Sequence, residues 1–248
     1  MKQRGIINLD GTYGDVTFYK TRDGYLARSK GGVSKERIKN DPKFVRVREN
    51  DKEFGEAASA GRLLRSTIAP LVKKAKDTRL ISRLTQIMSK IIKFDATSPR
   101  GDRNVATAIA VADAKTLLKG FEFNIRSQLS SILLIPYTLN TTDGKVHIAG
   151  FNPVNDLNSP SGSTHLTLTS AFAIINFGTG AADIEYSDPV NLPIDNVAAD
   201  ADINPPGIPS GTGAKLYFLM IEFFQEVNGV QYSLNDGGFN ALVITDVV

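Results

Sequence analysis

The apolar residues of this chain change their spacing at about residue 126, and this change limits the folds open to the chain. Before residue 126 they recur every three or four positions, which is typical of amphipathic helices. After it they form short β-prone runs separated by turn residues, which is typical of a sandwich or barrel. The sequence therefore predicts an α+β protein whose helical and strand regions follow one another.

We predict two domains from this change. Residues 1–126 are expected to form a basic hairpin and helical domain, and residues 127–248 an acidic, all-β domain. A chain of 248 residues is long enough for each part to bury a core. The β domain is expected to be an antiparallel sandwich, Ig-like or jelly-roll-like. Its predicted strands lie in the runs Leu129–Thr138, Lys145–Ala149, Thr164–Asn176, Ala182–Tyr186, Ala214–Glu226, Val230–Leu234 and Phe239–Thr245. The Pro-, Gly- and Asp-rich stretch Asp195–Gly213 is expected to be an exposed loop.

Capping residues mark the predicted helices. Ser34 begins a short turn, Asp41-Pro42 begins a second helix and Asp77 caps a third, while Pro70 marks a kink or break. The third is the clearest amphipathic helix, with an apolar stripe of Leu80, Leu84, Ile87 and Ile91 and an outer row of Arg79, Arg83, Gln86, Lys90 and Lys93. Asp102 is expected to cap a helix from Arg103 to about Lys119, ended by Gly120.

A β-hairpin is predicted near the start of the chain. The β-prone runs Asp15–Arg22 and Tyr25–Lys30 are separated by Asp23-Gly24, a strong signal for a tight turn. A loop of these two residues would place Arg22 opposite Tyr25, Thr21 opposite Leu26, Lys20 opposite Ala27 and Tyr19 opposite Arg28, with Tyr19, Leu26, Arg28 and Lys30 on one face. An isolated hairpin is marginally stable in water, so we expect this one to pack on its own helices or on another subunit.

The charges are divided between the two predicted domains. Residues 1–126 contain 27 Lys and Arg against 14 Asp and Glu, a net of +13, whereas residues 127–248 contain 2 against 12, a net of −10. The basic part is suited to nucleic-acid phosphates or to the acidic part of a neighbouring copy. The other interpretation is that the two parts neutralise each other within one chain.

Catalytic and metal-binding patterns are weak. With no cysteine, the chain has no thiolate nucleophile, Cys-ligated zinc or disulfide. His147 and His165 lie in predicted strands without a partner at a spacing that suggests a metal pair or a triad. Asp183 and Glu185 are interpreted as solvated carboxylates, and Gly178-Thr179-Gly180 as a turn. We expect a non-enzymatic protein without cofactor or metal.

Two further motifs have an alternative functional interpretation. Asp200, Asp202 and Asn204 alternate like the start of a calcium loop, but position 211 is Gly where such a loop has a bidentate Glu. Arg100-Gly101-Asp102 spells an integrin-type tripeptide and is interpreted as a turn followed by a helix cap. A ligand- or calcium-binding β module therefore stays open as an alternative.

The basic hairpin carries the candidate contact residues. Aromatic residues interleaved with cations can stack on bases while they bind phosphates, or can pack the hairpin onto a support. The candidates for assembly or nucleic-acid contact are Phe18, Tyr19, Lys20, Arg22, Tyr25, Arg28 and Lys30 on the hairpin, with Arg79 and Arg83 on the amphipathic helix.

Several strings resemble a family of uncharacterised bacterial proteins. They are Gly11–Lys20 (GTYGDVTFYK), Leu26–Arg28, Arg48-Glu49-Asn50 with Glu53-Phe54-Gly55, Thr97–Val105 (TSPRGDRNV) and Gly120–Asn124. The resemblance runs through the basic part and more loosely over the β part. It implies a shared architecture and brings no activity, cofactor or catalytic residue.

The sequence favours a structural protein that assembles with itself, head to tail, as a filament, tube or virion-like particle. In this hypothesis the basic region around Asp15–Lys30 of one copy docks on the acidic β domain of the next. A nucleic-acid-binding protein is the alternative. We find no apolar stretch long enough for a signal peptide or a membrane span, so we expect cytoplasmic synthesis and no membrane insertion, with later release as an assembly left open.

Overall fold

The described residues, 1–3, 7–29 and 32–248 of a computed structural model, divide into two units, Met1–Glu49 and Asn50–Val248. The predicted domain boundary at residue 126 lies inside the second unit. There the helices that precede residue 126 and the strands that follow it share one apolar core, which includes Leu64, Leu84, Phe218 and Ile244. The predicted change from helical to strand structure thus occurs within a common core.

The N-terminal unit contains a small antiparallel sheet. Its strands β1 (Gly11–Tyr13), β2 (Val16–Thr21) and β3 (Gly24–Ser29) lie in the order β1-β2-β3. They are followed by α1 (Lys35–Asn40) and a 3-10 helix, Pro42–Phe44. Ser34 Oγ accepts a hydrogen bond from the backbone N–H of Arg37, and Asp41 Oδ1 accepts one from Lys43 N–H. Both predicted caps are confirmed.

The helices differ from prediction in two places. They are α2 (Val45–Thr67), which begins in the first unit and continues into the second, α3 (Ala69–Lys74), α4 (Leu80–Ile91) with a 3-10 turn Ile92–Phe94, α5 (Val105–Ala108) and α6 (Ala112–Thr116). The chain breaks before Pro70, as predicted. The third predicted helix begins at Leu80 with Arg79 at its N-cap, so Asp77 is not its cap, although Asp77 Oδ1 accepts the Arg79 N–H. The single helix from Arg103 to Lys119 is wrong, because Val111 adopts an extended backbone between α5 and α6. The cap of α5 is Asn104, whose side chain accepts the Thr107 N–H.

The remaining elements begin with α7 (Leu129–Ile132), β4 (Thr138–Leu139), β5 (Val146–Phe151), α8 (Pro153–Asp156), β6 (His165–Ile175) and β7 (Ala182–Tyr186). They end with β8 (Val190–Pro193), β9 (Ala199–Ile203), β10 (Ala214–Val227), β11 (Val230–Ser233) and β12 (Ala241–Val247). Helices with antiparallel sheets confirm the α+β class. The Ig-like or jelly-roll-like sandwich stays a prediction.

The strands of the second unit form two sheets. In the larger one β10 and β6 pair with each other, β11 and β12 pair with the other edge of β10, and β7 and β8 with the other edge of β6. This sheet curls into a half-barrel. The smaller sheet has the order β4-β5-β9.

Three predictions for the strand region were wrong. The run Leu129–Thr138 begins as the short helix α7, the predicted loop Asp195–Gly213 contains β9, and β8 lies outside every predicted run. Strand β9 was not predicted because its alternation of Asp with Ala and Ile is short and is followed at once by Asn204-Pro205-Pro206. Its pairing with β5 nevertheless buries Ala201 and Ile203 on one face.

Both faces of the larger sheet are covered. On β10, Leu216, Phe218 and Met220 face the core shared with α2–α6. Leu219, Ile221 and Phe223 face a second core shared with the small sheet and α7. Burial on both faces accounts for the nearly continuous apolar sequence of β10. Among the described residues, no helix is long and apolar enough to cross a membrane.

Candidate functional site

The turn of the N-terminal hairpin differs from prediction. Thr21 pairs with Gly24 and Tyr19 with Leu26, so the two loop residues are Arg22 and Asp23. The predicted loop, Asp23-Gly24, and the cross-strand partners derived from it are wrong. Gly24 is the first residue of β3 and follows the turn with φ +112°, a backbone conformation that favours glycine. The pairing shifts by two positions, which leaves every side chain on its predicted face.

The tyrosines of the hairpin are covered by cations of the same hairpin. The Lys20 ammonium lies 5.5 Å from the centre of the Tyr25 ring on one face of the sheet. On the other face the Arg28 guanidinium lies 5.6 Å from the centre of the Tyr19 ring. These are cation–π pairs. A base that stacked on either ring would have to displace its cation, so this arrangement favours a structural role for the two tyrosines.

The other hairpin candidates are spread over the sheet. Phe18 is half-buried and lies opposite Ala27, while Arg22 is exposed at the turn. Lys30 lies outside the described residues. Backbone hydrogen bonds join Met1 and Gln3 to β3, with Gln3 N–H donating to Tyr25 O at 2.9 Å. That edge of β3 is therefore paired, and β1 forms the opposite edge of the sheet.

The N-terminal unit buries very little. Of its described residues only Ala27 is buried. Large apolar side chains that remain exposed are Met1, Ile7, Leu9, Tyr13, Val16, Val33, Val45 and Val47. Beside Phe18 and Ala27 lies an open groove of about 650 Å³, lined also by Met1, Lys2, Gln3, Ile7 and Leu9. Its lining is mainly apolar, with the cation of Lys2 beside it.

Arg83, predicted as a contact residue, is held inside the second unit. Its Nε and Nη2 donate to Asp77 Oδ2 at 3.1 and 2.5 Å, and Nη2 also donates to the backbone oxygen of Glu122 at 2.8 Å. The guanidinium lies 5.1 Å from the centre of the Phe121 ring. Arg79, one turn earlier, is exposed. Only Arg79 of these two presents its side chain to solvent, and both belong to a different unit from the hairpin.

Glu122 is a perturbed carboxyl that the sequence did not single out. Its Oε1 accepts the Leu129 N–H at 3.0 Å, while Oε2 is buried without a hydrogen-bond partner. Burial raises the pKa of Glu122 to about 7, against the opposing effects of the Leu129 N–H and the Arg83 charge. It borders a cavity of about 310 Å³ with Arg83, Lys119 and Gln128. Nothing in the local sequence signals this burial, which depends on contacts distant along the chain.

The loop that contains Arg100-Gly101-Asp102 is tied to α2. Glu53 accepts hydrogen bonds from Arg103 Nε at 2.7 Å, Arg103 Nη2 at 2.9 Å and Gly101 N–H at 2.8 Å. Asp102 pairs with Lys52 and does not cap a helix, so that prediction is wrong. Two strings of the family resemblance, Glu53–Gly55 and Thr97–Val105, thus meet in one structural contact.

The buried side chain of Asp95 accepts hydrogen bonds from the backbone of the same loop. Its Oδ1 accepts the N–H groups of Thr97 and Ser98, each at 3.0 Å, and its Oδ2 accepts the Asn104 N–H at 3.1 Å. Burial alone would raise the pKa of Asp95, but hydrogen bonds from Ser98, Thr97 and Asn104 outweigh it and hold the pKa far below its usual range. The carboxylate is therefore a structural anchor.

The acidic side chains of the β region have local contacts of their own. Asp202 pairs with His147 at 2.9 Å, and Asp200 accepts the Gly150 N–H at 2.7 Å. His165 lies 3.5 Å from Glu226, and Asp183 accepts two hydrogen bonds from Ser210. Within residues 1–3, 7–29 and 32–248 no three His, Asp or Glu side chains gather in a way that could hold a metal ion.

An acidic corner forms where three segments of the β region meet. Leu134 N–H donates to Asp156 O at 2.9 Å, and Val154 N–H donates to Asp195 O at 3.2 Å. Leu134, Val154 and Val197 are exposed there, with the carboxylates of Asp156 and Asp195 beside them. We call residues 134, 152–156 and 195–197 the acidic corner.

No protein-family model, no curated protein and no solved structure matches this chain.

Proposed function

We propose that this protein is a non-enzymatic structural subunit that assembles head to tail with copies of itself. The observation that carries this proposal is the scarcity of buried side chains in Met1–Glu49, where Ala27 alone is buried among the described residues. A unit of this size needs a core, a metal, disulfides or a partner to remain folded. This chain has no cysteine, and at least eight large apolar side chains of the unit stay in solvent.

Charge and strand edges support a second copy as that partner. Residues 1–49 carry twelve Lys and Arg against six Asp and Glu, a net of +6. Residues 146–214 contain seven Asp and Glu and no Lys or Arg. Opposite charges on two regions of one chain favour a heterologous contact, which repeats into a filament, a tube or a closed particle such as a virion-like shell. The edge strand β1 offers backbone groups for such a contact.

Sedimentation velocity and negative-stain electron microscopy of nuclease-treated protein, at low and high salt, test this proposal. We expect species that grow with protein concentration and become smaller as salt rises, because screened charges attract less. The variant Lys20→Glu/Arg22→Glu should assemble more weakly, whereas Lys90→Glu/Lys93→Glu, with the same change of charge in the second unit, should assemble as the wild type does. A monomer at every concentration, or assembly that ignores salt, would contradict the proposal.

Nucleic-acid binding is a second candidate, favoured by the net charge of +6 on residues 1–49. The cation–π pairs of Tyr19 and Tyr25 reduce the scope for base stacking, so phosphate contacts would supply the affinity. A salt-dependent shift of labelled DNA or RNA, abolished by Arg28→Glu/Arg79→Glu, would support it. Arg83 is unsuitable for this test because its replacement breaks the contacts to Asp77 and Glu122.

Three finer expectations accompany the proposal. They are cytoplasmic synthesis, the absence of a cofactor, and an Ig-like or jelly-roll-like sandwich in the β region. The packing of the small sheet against the large one across a shared core supports the last. A calcium- or ligand-binding role gains no support from Asp200 and Asp202, whose carboxylates contact Gly150 and His147. Calorimetry with calcium would show heat if that alternative were correct.

A further inference from the structure

The acidic corner has a fixed shape. In addition to the backbone hydrogen bonds that join its segments, Asn152 Nδ2 and Asn155 Nδ2 donate to Asn196 Oδ1 at 2.9 and 3.1 Å. Each segment is thereby held by another that is distant along the chain. A surface connected in this way loses little conformational entropy when a partner binds.

The acidic corner combines exposed apolar side chains with two half-buried carboxyl groups. Leu134, Val154 and Val197 are 60%, 48% and 65% exposed. Asp156 Oδ2 accepts the Asn152 N–H and Asp195 Oδ1 accepts the Val197 N–H, so hydrogen bonds to the backbone fix both side chains within the corner. Within the described part of the chain neither Asp156 nor Asp195 forms an ion pair with Lys or Arg. Apolar residues with an acidic rim are typical of a surface that binds a basic, apolar partner.

The groove of the N-terminal sheet has the complementary character. Its wall is formed by Phe18, Ala27 and Leu9, and Lys2 lines it. Lys20 lies on the same face of β2 as Phe18, two residues away, and is exposed. The volume of about 650 Å³ is ample for several aliphatic side chains.

We propose that the acidic corner of one copy seats in the N-terminal groove of a second copy, with Leu134, Val154 and Val197 in the groove and Asp156 and Asp195 near Lys2 and Lys20. This inference rests on the proposed self-assembly and names its acceptor surface. A second copy is the occupant that the charges favour, because the acidic corner and the groove beside Lys2 and Lys20 carry opposite charges and every copy has both surfaces. The contact leaves each copy with one free corner and one free groove, so it can repeat.

Disulfide trapping in the full-length chain tests the contact directly, since the native sequence has no cysteine. Leu9→Cys and Val197→Cys are made separately, mixed and mildly oxidised. Val230→Cys, which replaces another half-exposed valine, is the matched control for Val197→Cys. We expect a covalent two-chain product from Leu9→Cys with Val197→Cys, at least about tenfold more abundant than with Val230→Cys, because disulfides form only when the Cα atoms approach within roughly 7 Å.

Two outcomes of this experiment would overturn the inference. One is equal or absent cross-linking in both mixtures. The other concerns a double variant that carries Leu9→Cys and Val197→Cys in one chain. If its product is a cross-linked single chain whose yield does not depend on protein concentration, the contact lies within one molecule.

A charge variant separates this inference from the proposed function. Asp156→Asn/Asp195→Asn removes both charges but keeps an oxygen that can accept each backbone N–H, and circular dichroism checks its fold. We expect its self-association to weaken about tenfold at low salt and to approach that of the wild type at high salt. If the wild type assembles and this variant assembles equally well, the corner is not the acceptor although self-assembly stands. If the wild type stays monomeric, the proposed function itself fails.

Discussion

Lys74, the last residue of α3, reaches Glu222 on β10, with Nζ 2.8 Å from Oε2. The carboxylate is buried, whereas the lysine side chain is half exposed. Glu222 interrupts the apolar run Leu216–Phe224 of β10 and faces the helices rather than the small sheet. The pair therefore compensates a buried charge at the place where the helices meet the sheet.

Lys74→Met should destabilise the protein by about 2–3 kcal/mol, because it leaves the buried Glu222 carboxylate without its counter-charge. Lys119→Met is the control, since the pair of Lys119 with Asp246 is more exposed and should contribute less than about 1 kcal/mol. Chemical denaturation gives both free energies of unfolding. Equal losses in the two variants would show that the burial of Glu222 carries no special cost.

Glu122→Gln should remove a pH dependence of stability. Burial raises the pKa of Glu122 from 4.5 to about 7, so the folded protein holds a proton that the unfolded chain has lost. This contribution is fully present below pH 4.5 and is lost as the pH rises through about 7. From about pH 5 to about pH 8 we expect the unfolding free energy of the wild type to fall by about 1–2 kcal/mol relative to Glu122→Gln, after allowance for solvent screening. If the unfolding free energies of the wild type and Glu122→Gln change with pH in the same way, this assignment is wrong. The variant Asp113→Asn, which changes an exposed carboxyl group, provides the reference.

Asp95→Asn should loosen the loop that contains residues 97–104. The asparagine amide has one acceptor oxygen where the carboxylate has two. Its NH2 group, which cannot accept a hydrogen bond, must therefore face either the N–H groups of Thr97 and Ser98 or that of Asn104. We expect a loss of about 2 kcal/mol in unfolding free energy, compared with less than about 1 kcal/mol for Asp102→Asn at an exposed pair. Because the pKa of Asp95 is lowered, the difference between wild type and Asp95→Asn should shrink as acid protonates the carboxylate. Thermal unfolding at several pH values measures both effects.

Gly237→Ala and Gly229→Ala form a matched pair. Both glycines have a similar positive φ, +82° and +76°, so the backbone strain of alanine should be alike. A Cβ at position 237 would lie 2.2 Å from the Lys74 backbone oxygen, whereas position 229 has open space. We expect about 1 kcal/mol of destabilisation for Gly229→Ala and at least about 2 kcal/mol more for Gly237→Ala. Similar unfolding temperatures for the two variants would show that the loop at 237 can move aside.

Local patterns predicted much of the secondary structure. Ser34 and Asp41 cap as expected, and β6, β10 and β12 lie close to their predicted runs because each combines β-branched or aromatic residues with clear turn signals. The turn Asn228-Gly229 between β10 and β11 has positive φ at both residues, a conformation that Asn and Gly adopt readily. These features depend on neighbours in the sequence.

The failures involve contacts between distant residues. Strand β9 exists because β5 supplies its hydrogen bonds, and α7 replaces a predicted strand where Glu122 accepts the Leu129 N–H. Arg83 was predicted to be a surface cation because it lies on the polar side of its helix. Its guanidinium instead donates hydrogen bonds to Asp77 and to the backbone oxygen of Glu122, which keep it largely out of solvent. The acidic corner brings together residues 134, 154 and 197, which no sequence spacing connects.

The core shared by α2–α4 and the large sheet has a consequence for biosynthesis. A ribosome finishes the helices long before it reaches β10, whose Leu216, Phe218 and Met220 cover their apolar side. The nascent chain must therefore carry uncovered helices through the synthesis of roughly a hundred residues, a situation that favours binding by chaperones. The core of the second unit, and any polymer built from it, can be completed only after β10 and β12 have left the exit tunnel.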